Sequence, residues 1–348
     1  MLRVAVFWPL PSETWAMREY ILRRVIQLIP TLILISIVSF TIIQLPPGDY
    51  VTTYVANLAA AGEELSEEEI AALEEHYGLN QPGYIQYIKW ITNFVQGDMG
   101  LSFYWDRPVN RLIGERLMLT MIMSFFTLLF VYAMAIPIGI YSAVRQYSLA
   151  DYLFTFIGFI GLATPNFLLA LIFMYIGIKV FGASAGGLFS TEYLDADWSV
   201  AKVWDMLKHM WLPVVIVGTA GTAGTIRVMR ATTLDEIGRP YVETARSKGL
   251  REGRLTMKYP VRVALNPILS TIGWRLPEIV SGTVLVALVL NLPTTGPLLW
   301  RALMSQDLYL AASMIMILST LTLIGTLISD ILLAWVDPRI RYGERGTT

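Results

Sequence analysis

The side chains best suited to a chemical role lie in one short polar stretch between long hydrophobic segments. It starts at residue 241 and reads Tyr-Val-Glu-Thr-Ala-Arg-Ser-Lys-Gly-Leu. The small Thr244 and Ala245 and the long stem of Lys248 would let this stretch approach another surface closely. Glu243 and Arg246 would give polar complementarity at its rim. These residue types in this pattern indicate binding rather than bond cleavage.

The polar stretch is predicted to form the first helix of a hairpin. A helix over Tyr241–Lys248 would end at Gly249, because glycine readily adopts the left-handed backbone that closes helices. A second helix is predicted over Glu252–Tyr259, before Pro260. On charge alone, the first helix suits either an anionic lipid surface or a groove of another protein.

Catalytic motifs are absent from the sequence. The chain has no cysteine, and its histidines are His76 and His209. It has no zinc-type His-Glu-x-x-His pattern, no Gly-x-Gly-Asp aspartate motif and no recognisable serine–histidine arrangement. The phosphate loop Gly-x4-Gly-Lys-Ser/Thr is missing as well. We therefore predict no enzyme activity, no catalytic residue, no metal site and no ATP site of that type in this chain.

The composition is typical of a membrane protein. Hydrophobic residues make up 55% and charged residues 15% of the 348 residues. Apolar runs long enough to cross about 30 Å of hydrocarbon recur along the chain. The formal net charge of -1 conceals local differences in sign and points to no nucleic-acid partner. We predict an all-α membrane protein in contact with lipid.

Hydropathy predicts six transmembrane helices. They are roughly Ile21–Leu45, Leu117–Val144, Tyr152–Phe181, Met210–Ile226, Val263–Leu290 and Leu308–Val336. The predicted organisation is a leader over residues 1–20, a first membrane helix over 21–45, an extracytoplasmic cap over 46–115, a membrane core of five helices over 116–336, and a tail over 337–348. Within the core, a loop over about 231–262 carries the hairpin.

The distribution of lysine and arginine predicts the orientation. Basic residues are retained on the cytoplasmic side of a membrane. They cluster near the N-terminus, between Arg227 and Arg262, and in the tail. Acidic residues dominate the cap and the segment before the fourth predicted helix. Both termini are therefore expected in the cytoplasm.

The cap is predicted to contain two short helices. Ser66 followed by Glu69 indicates a capping box for a helix that ends at Gly78. A second helix is expected over Tyr84–Phe94, with apolar side chains available for the membrane surface or a partner. The acidic run of the first helix suits either a solvated face or a contact surface for a delivery protein.

Small residues and prolines indicate how the membrane helices pack. Gly218, Gly221 and Gly224 would give the fourth helix a face that another helix can approach closely, and Gly161 does the same in the third. Pro165 is predicted to be a kink or a helix start.

Several motifs, taken in order, carry a resemblance to a known family. Glu243-Thr-Ala245-x-x-x-Gly249, followed by Asn266-Pro267, resembles the EAA loop of bacterial ABC importer permeases. Further matches are Pro47-Gly48-Asp49, Leu79-Asn-Gln-Pro82, Gly97-Asp98-Met-Gly100-Leu-Ser102, Arg107-Pro-Val109, Glu115-Arg116-Leu117, Pro137-Ile-Gly139, Pro165-Asn-Phe167, Leu212-Pro213 and Asp337-Pro-Arg-Ile-Arg341. The chain is similar to the DppB/OppB-like permeases of the dipeptide, oligopeptide and nickel group.

This resemblance implies a type I ABC importer permease fold and a set of partners. The partners would be a homologous second permease, two ATP-binding subunits and an extracytoplasmic solute-binding protein, in a plasma or inner membrane. ATP and Mg would be bound by those partner subunits, with no cofactor in this chain. The implied contacts with an ATP-binding subunit are Glu243, Thr244, Ala245, Lys248, Gly249 and Leu250. Thr244 is a mild departure from the motif, which has alanine there.

The resemblance also implies a class of solute. Peptides are expected first, with a nickel chelate or an oligosaccharide as alternatives.

Arg275 and Glu278 lie one helical turn apart in the fifth predicted helix, where ionised side chains are costly. They either form an ion pair that orients the helix or line the pathway and meet the solute. Between Gly282 and Leu299 the chain departs from the acidic residue and Pro-Gly-Leu-Gly turn that related permeases tend to carry.

A secondary transporter or channel is the rival class. A six-helix bundle with Arg275 and Glu278 inside it could couple ion and solute movement without ATP. Against this alternative, the sequence shows no inverted repeat with matching broken helices, and a cytoplasmic docking hairpin would have no use.

Overall fold

The computed structural model describes residues 13–63, 65–181, 186–194, 196–272, 275 and 284–336. The described chain is mainly helical, with one short antiparallel β-ribbon. The helices are α1 Glu13–Gln44, α2 Tyr50–Ala61, α3 Glu67–Tyr77, α4 Gly83–Val95, α5 Val109–Val144, α6 Leu149–Ala163, α7 Asn166–Phe181, α8 Val200–Ile237, α9 Pro240–Ser247, α10 Glu252–Lys258, α11 Pro260–Ala264, α12 Val284–Val289, α13 Thr295–Met304 and α14 Leu308–Val336. The ribbon pairs β1 Leu101–Ser102 with β2 Arg107–Pro108, and residues 266–272 are also helical.

Four described helical segments are long and apolar enough to cross a membrane. They are Ile21–Gln44, Val109–Val144, Val200–Ile237 and Leu308–Ile331. The predicted first, second, fourth and sixth helices fall largely within these segments. The predicted fifth, Val263–Leu290, lies partly outside the described residues, so the count of six stays a prediction.

The predicted third membrane helix is broken near Pro165, which confirms the predicted kink or helix start at that residue. It is a pair of helices, Leu149–Ala163 and Asn166–Val180, bent by 99°. The break comes at Pro165, because proline lacks an amide hydrogen and disfavours a helical backbone in the preceding residue. Thr164 is accordingly extended, with φ -94° and ψ 121°. The pair can count as one broken span.

Close contacts with α8 organise the membrane helices. A Cβ added to Gly218 of α8 would lie 2.6 Å from the Phe130 ring of α5, and one added to Gly139 of α5 would lie 2.6 Å from Met229 of α8. Gly161 of α6 meets Thr219 of α8 at the same distance. Small residues therefore permit close helix approach, as predicted for Gly218 and Gly161.

A buried ion pair joins α6 to α8 near one end of the bundle. The Ser148 hydroxyl caps α6 by accepting the Asp151 amide at 3.2 Å, and the Asp151 carboxylate accepts from Arg230 Nε at 3.2 Å and Nη2 at 3.1 Å. The Asp151 carboxylate also accepts the Tyr147 amide at 3.0 Å. Asp151 is 3% exposed, so its charge is compensated by these donors rather than by water.

The cap contains the two predicted helices and a third that was missed. Ser66 and Glu69 form the predicted capping box of α3, which ends at the left-handed Gly78. The hydrogen bonds from Ser66 lower the pKa of Glu69. The unpredicted α2 begins at Asp49, whose side chain accepts from the Thr52 amide at 2.8 Å.

The cap lies against α1 and α14 rather than standing apart. Trp90 of α4 is 3% exposed, stacks on Phe40 of α1 and donates from its indole nitrogen to Ser313 of α14 at 3.0 Å. Trp90 is thus packed within the chain, so the prediction that the apolar side chains of the helix Tyr84–Phe94 are available to the membrane or a partner is wrong for this residue. Ile88, on the same helix, is 57% exposed.

A fully buried carboxylate fastens the β-ribbon to the start of α14. Asp307 accepts from Ser102 Oγ at 2.5 Å and from the Tyr104 amide at 3.2 Å. Its other oxygen accepts from the Leu310 amide at 3.2 Å, as an N-cap. Burial raises the pKa of Asp307 above its ordinary value of 3.8, although these donors oppose the shift.

We predict that Asp307→Asn will change the pH dependence of unfolding. Because the folded-state pKa is raised, the titration of Asp307 favours the folded state below its unfolded pKa. That contribution is lost as pH rises through the folded pKa. The melting temperature of the variant relative to the original chain should therefore rise between pH 3.5 and pH 7, roughly the range in which a buried carboxyl ionises. Melting in detergent at several pH values measures this difference.

Asp49→Asn is the matched control, since it alters a partly exposed N-cap carboxylate in the same cap. A relative melting temperature of Asp307→Asn that falls with pH would show that the hydrogen bonds from Ser102 and Tyr104 outweigh burial.

We also predict energetic coupling between Asp151 and Arg230. Removing one partner leaves the other without compensation, so Asp151→Ala and Arg230→Ala should each destabilise the fold, and the double variant by less than the sum. We expect a coupling of about 1–3 kcal/mol in a double-mutant cycle of denaturant unfolding in micelles. The exposed pair Arg246–Glu252 is the control and should couple more weakly. Additive effects at Asp151 and Arg230 would contradict the prediction.

Candidate functional site

The predicted hairpin is present and follows α8 directly. Pro240 begins α9, a position that suits proline because its missing amide hydrogen would be unused there. The helix ends at Ser247 with Lys248 as its C-cap, and Gly249 has a left-handed backbone with φ +80°. Helices α9 and α10 match the predicted Tyr241–Lys248 and Glu252–Tyr259 to within a residue at each end.

The hairpin has an apolar core of its own. Val242, Ala245 and Leu255 are buried at 0%, 5% and 1% exposure, with Leu250 and Tyr259 packed against them. Ala245 therefore faces α10 instead of the outer surface on which the sequence pattern placed it. Leu250 is partly buried for the same reason.

The outer face of α9 is polar. Four residues expected to contact a partner are exposed on this helix or just after its C-terminal end: Glu243, Thr244, Lys248 and Gly249. A Cβ added to Gly249 would meet no atom within 4 Å, so only its backbone conformation demands glycine. The exposed set can meet a partner without displacing the core of the hairpin.

Two polar contacts hold the hairpin in shape. Arg246 donates to both oxygens of Glu252, from Nε at 2.6 Å and from Nη2 at 3.2 Å, which ties α9 to α10. The bonded Arg246 lowers the pKa of Glu252. The Tyr241 hydroxyl donates to Glu236 at the end of α8, and burial together with this bond raises the pKa of Tyr241 to about 12.

The hairpin continues into α11, which packs into the membrane bundle. Val261 and Ala264 of α11 are buried in a cluster with Met229 of α8 and Ile268, against which Ile136 of α5 packs. In addition, Thr232 of α8 donates to the Ala264 carbonyl at 3.2 Å. The hairpin is therefore connected through α11 to both α8 and α5.

The candidate pathway residues are described in part. Arg275 faces the small-residue side of α8, since a Cβ added to Gly221 would lie 3.8 Å from its Nη1 atom. Glu278 lies outside the described residues. The predicted relation of Arg275 to Glu278 thus stays a prediction.

One polar cluster was not anticipated from the sequence. Asp205 accepts from the Ser190 amide and hydroxyl, each at 2.7 Å, and lies 3.5 Å from His209 Nδ1. Although the residue types are those of a hydrolase triad, Ser190 donates its proton to the carboxylate rather than to the imidazole. Within the described parts of the chain, no group of three or more His, Cys, Asp and Glu side chains could hold a metal.

A cavity at the opposite end of α5 from the hairpin was also missed. It has a volume of about 470 Å³ and is lined in part by Arg116 of α5 and Arg301 of α13. The sequence signal for this cavity is Arg116, an arginine at the start of an apolar run, which was predicted only as part of the motif Glu115-Arg116-Leu117.

Comparison with known protein families gives two matches that together cover most of the chain. Residues 135–342 match the family described as binding-protein-dependent transport system inner membrane component, and residues 17–124 match the N-terminal part of such membrane components. The first match includes the hairpin and α11, and the second includes the cap.

Curated relatives are similar over nearly the whole chain. An oligopeptide transport system permease of Bacillus subtilis is 37% identical over 328 residues, which cover 94% of this chain and 100% of the relative. A dipeptide transport system permease of Alkalihalophilus pseudofirmus is 31% identical over 340 residues, with the same coverage. A glutathione transport system permease of Escherichia coli is 30% identical over 326 residues, again with 94% and 100% covered.

These relatives are transport permeases and not enzymes, and the apolar helices of this chain suit a multi-pass protein of the inner membrane. The chain belongs to the family of binding-protein-dependent transport system inner membrane components, and within it to the permeases of the DppB/OppB type.

Proposed function

We propose that this chain is one of two homologous permease subunits that form the translocation pathway of an ATP-driven peptide importer. The relatives named for oligopeptide, dipeptide and glutathione transport support a peptide solute. The observation that carries the proposal is the hairpin formed by α9 and α10. It has its own apolar core, an exposed polar face and a packed connection to α5 and α8.

In this proposal the outer face of α9 docks on an ATP-binding subunit. Glu243, Thr244, Lys248 and Gly249 meet that subunit, while Ala245 and Leu250 maintain the shape of the hairpin from within. ATP and Mg are bound by the two ATP-binding subunits. Their closure displaces α9, and the connection through α11 passes the displacement to the helices around the pathway.

The finer membrane arrangement is part of the same proposal. Six spans with a type I importer fold place the cap over residues 46–115 outside, where a solute-binding protein docks. Both termini and the hairpin lie in the cytoplasm, in keeping with the basic residues of the hairpin region. Arg275 and Glu278 line the pathway, supported by the position of Arg275 beside Gly221.

Purification from the native membrane in mild detergent tests the whole assembly. We expect a second permease and ATP-binding subunits to co-purify, with ATP hydrolysis stimulated by a peptide-loaded binding protein. Stimulation by an oligosaccharide or a nickel chelate instead would keep the importer and replace the solute. Ion-driven transport by the chain alone, with no ATPase subunit recovered, would favour the secondary transporter.

We predict that Gly249→Val will uncouple ATP hydrolysis from uptake. A β-branched residue in a left-handed backbone costs on the order of 1–2 kcal/mol, so the end of α9 should shift. The subunit should still insert in the membrane, because no atom lies near the new side chain. Co-purification of the ATP-binding subunit and peptide uptake in proteoliposomes are the measurements.

Two control variants separate strain from bulk. Gly249→Asn should retain uptake, because asparagine tolerates the left-handed backbone. Gly253→Val adds the same bulk to an exposed position of α10 where an added Cβ also meets no atom, and where φ is not positive. Normal uptake by Gly249→Val, or equal loss in Gly253→Val, would contradict docking through the end of α9.

A further inference from the structure

The cavity beside α5 and α13 combines apolar walls with two cationic side chains. Its volume of about 470 Å³ lies within the range of small-molecule sites. Leu188, Phe189 and Leu290 contribute apolar walls. Arg116 and Arg301 reach it from different helices, and the described lining contains no acidic residue.

Neither arginine is neutralised by a carboxylate within the part of the chain that the structure describes. No ion pair within 4 Å joins Arg116 or Arg301 to an aspartate or glutamate there. Glu115 attracts Arg116 only from a longer distance, and its own side chain is exposed. Other arginines in the bundle differ: Arg24 pairs with Asp330, and Arg230 with Asp151. A half-buried arginine without such a partner favours an external anion.

A buried hydroxyl in the same wall also lacks a partner. Thr294 is 2% exposed, and its Oγ1 atom has no hydrogen bond to any described group. Although Thr294 occupies the N-cap position of α13, its side chain does not cap the helix. An unsatisfied buried hydroxyl calls for a water or a ligand.

The start of α13 is held firmly at this cavity. The Thr295 amide donates to the Thr120 hydroxyl of α5 at 3.0 Å, and both residues are buried. The N-terminal end of the ten-residue α13 carries a partial positive charge, which adds to the field of the two guanidinium groups. The cavity is therefore preorganised for negative charge.

We propose that this cavity binds the carboxylate of a peptide in transit, with Arg116 and Arg301 as donors and Thr294 as a further hydrogen-bond partner. The inference rests on the proposed function, because it assigns a recognition site to the same solute. Arg301, which is exposed, meets the carboxylate first, and the half-buried Arg116 holds it beside the apolar wall. The apolar wall accommodates the last side chain of the peptide and strengthens the ionic contact by excluding water.

Uptake of two matched peptides by the reconstituted importer tests the proposal. The probes are trialanine with a free C-terminal carboxylate and trialanine amide, delivered by the same binding protein. In Arg116→Gln/Arg301→Gln, the KM for the free acid should rise about tenfold, as expected for the loss of one charge-assisted hydrogen bond. The KM for the amide should stay unchanged. Because the binding protein is the same throughout, its own preference cancels in the comparison.

Control variants address charge and folding. Arg111→Gln removes the same charge from an exposed position of α5 that does not line the cavity, and it should leave both KM values unchanged. Arg116→Lys/Arg301→Lys keeps the positive charges and should retain part of the preference for the free acid. ATP hydrolysis stimulated by the binding protein shows whether each variant has assembled into the importer. If the double glutamine variant does not assemble, the double lysine variant is used to test the proposal instead.

The outcomes separate this inference from the function on which it rests. If the original importer takes up neither peptide on ATP hydrolysis, the peptide assignment fails and this inference fails with it. If it takes up both, and the variants lose neither or lose both equally, the inference alone is overturned. The variants could instead change the half-saturating concentration of the binding protein equally for both peptides. That result would assign the arginines to docking of the binding protein and would also overturn the inference.

Discussion

The α5 and α8 helices can lie against each other because glycines remove side-chain volume at two levels of their contact. Lipid supplies no hydrophobic drive for helices to associate, so close packing has to supply the attraction. Gly139 of α5 leaves space for Met229 of α8, and Gly218 of α8 leaves space for Phe130 of α5. The other features depend on this pair: α6 docks on α8, α11 fills the gap beside both helices, and the cavity with Arg116 is framed by the far end of α5.

Two buried carboxylates, Asp151 and Asp307, join further elements to this arrangement of helices. Asp151 joins α6 to α8, which leads into the hairpin, while Asp307 joins the ribbon of the cap to α14. Each carboxylate is buried and has several donors, so each contact specifies one arrangement of its two elements. The hairpin differs, since its main ion pair, Arg246–Glu252, is exposed and its core is small. The hairpin is therefore held in shape mainly by contacts within itself.

Features that depend on neighbouring residues, such as helix caps, could be predicted from the sequence, whereas contacts between residues far apart in the chain could not. The capping box at Ser66 and the glycine at 249 depend on neighbours in sequence, and both predictions were confirmed. Asp49 and Gly62 offered equally local signals for α2, which were overlooked. The burial of Ala245 depends on Leu255 of the next helix, so the motif pattern alone could not locate it. Hydropathy located the four long apolar helices, and Pro165 indicated the break in the third predicted helix, whereas the 99° angle of that break depends on how both halves pack.

The bond between Ser102 and Asp307 spans 205 positions of the chain, and this separation has a consequence for biosynthesis. The ribbon emerges from the ribosome long before the residue that anchors it. At about 5–20 residues per second, synthesis of the intervening chain takes roughly 10–40 s. During that interval α2 and α3 can form, because the residues that cap their ends are close in sequence. The ribbon, however, still lacks Asp307, the residue that anchors it. The contact between the ribbon and α14 therefore forms only after the start of α14 has been synthesised, and a chain truncated before Asp307 would keep the packing of Trp90 on Phe40 of α1 but lose this anchor of the ribbon.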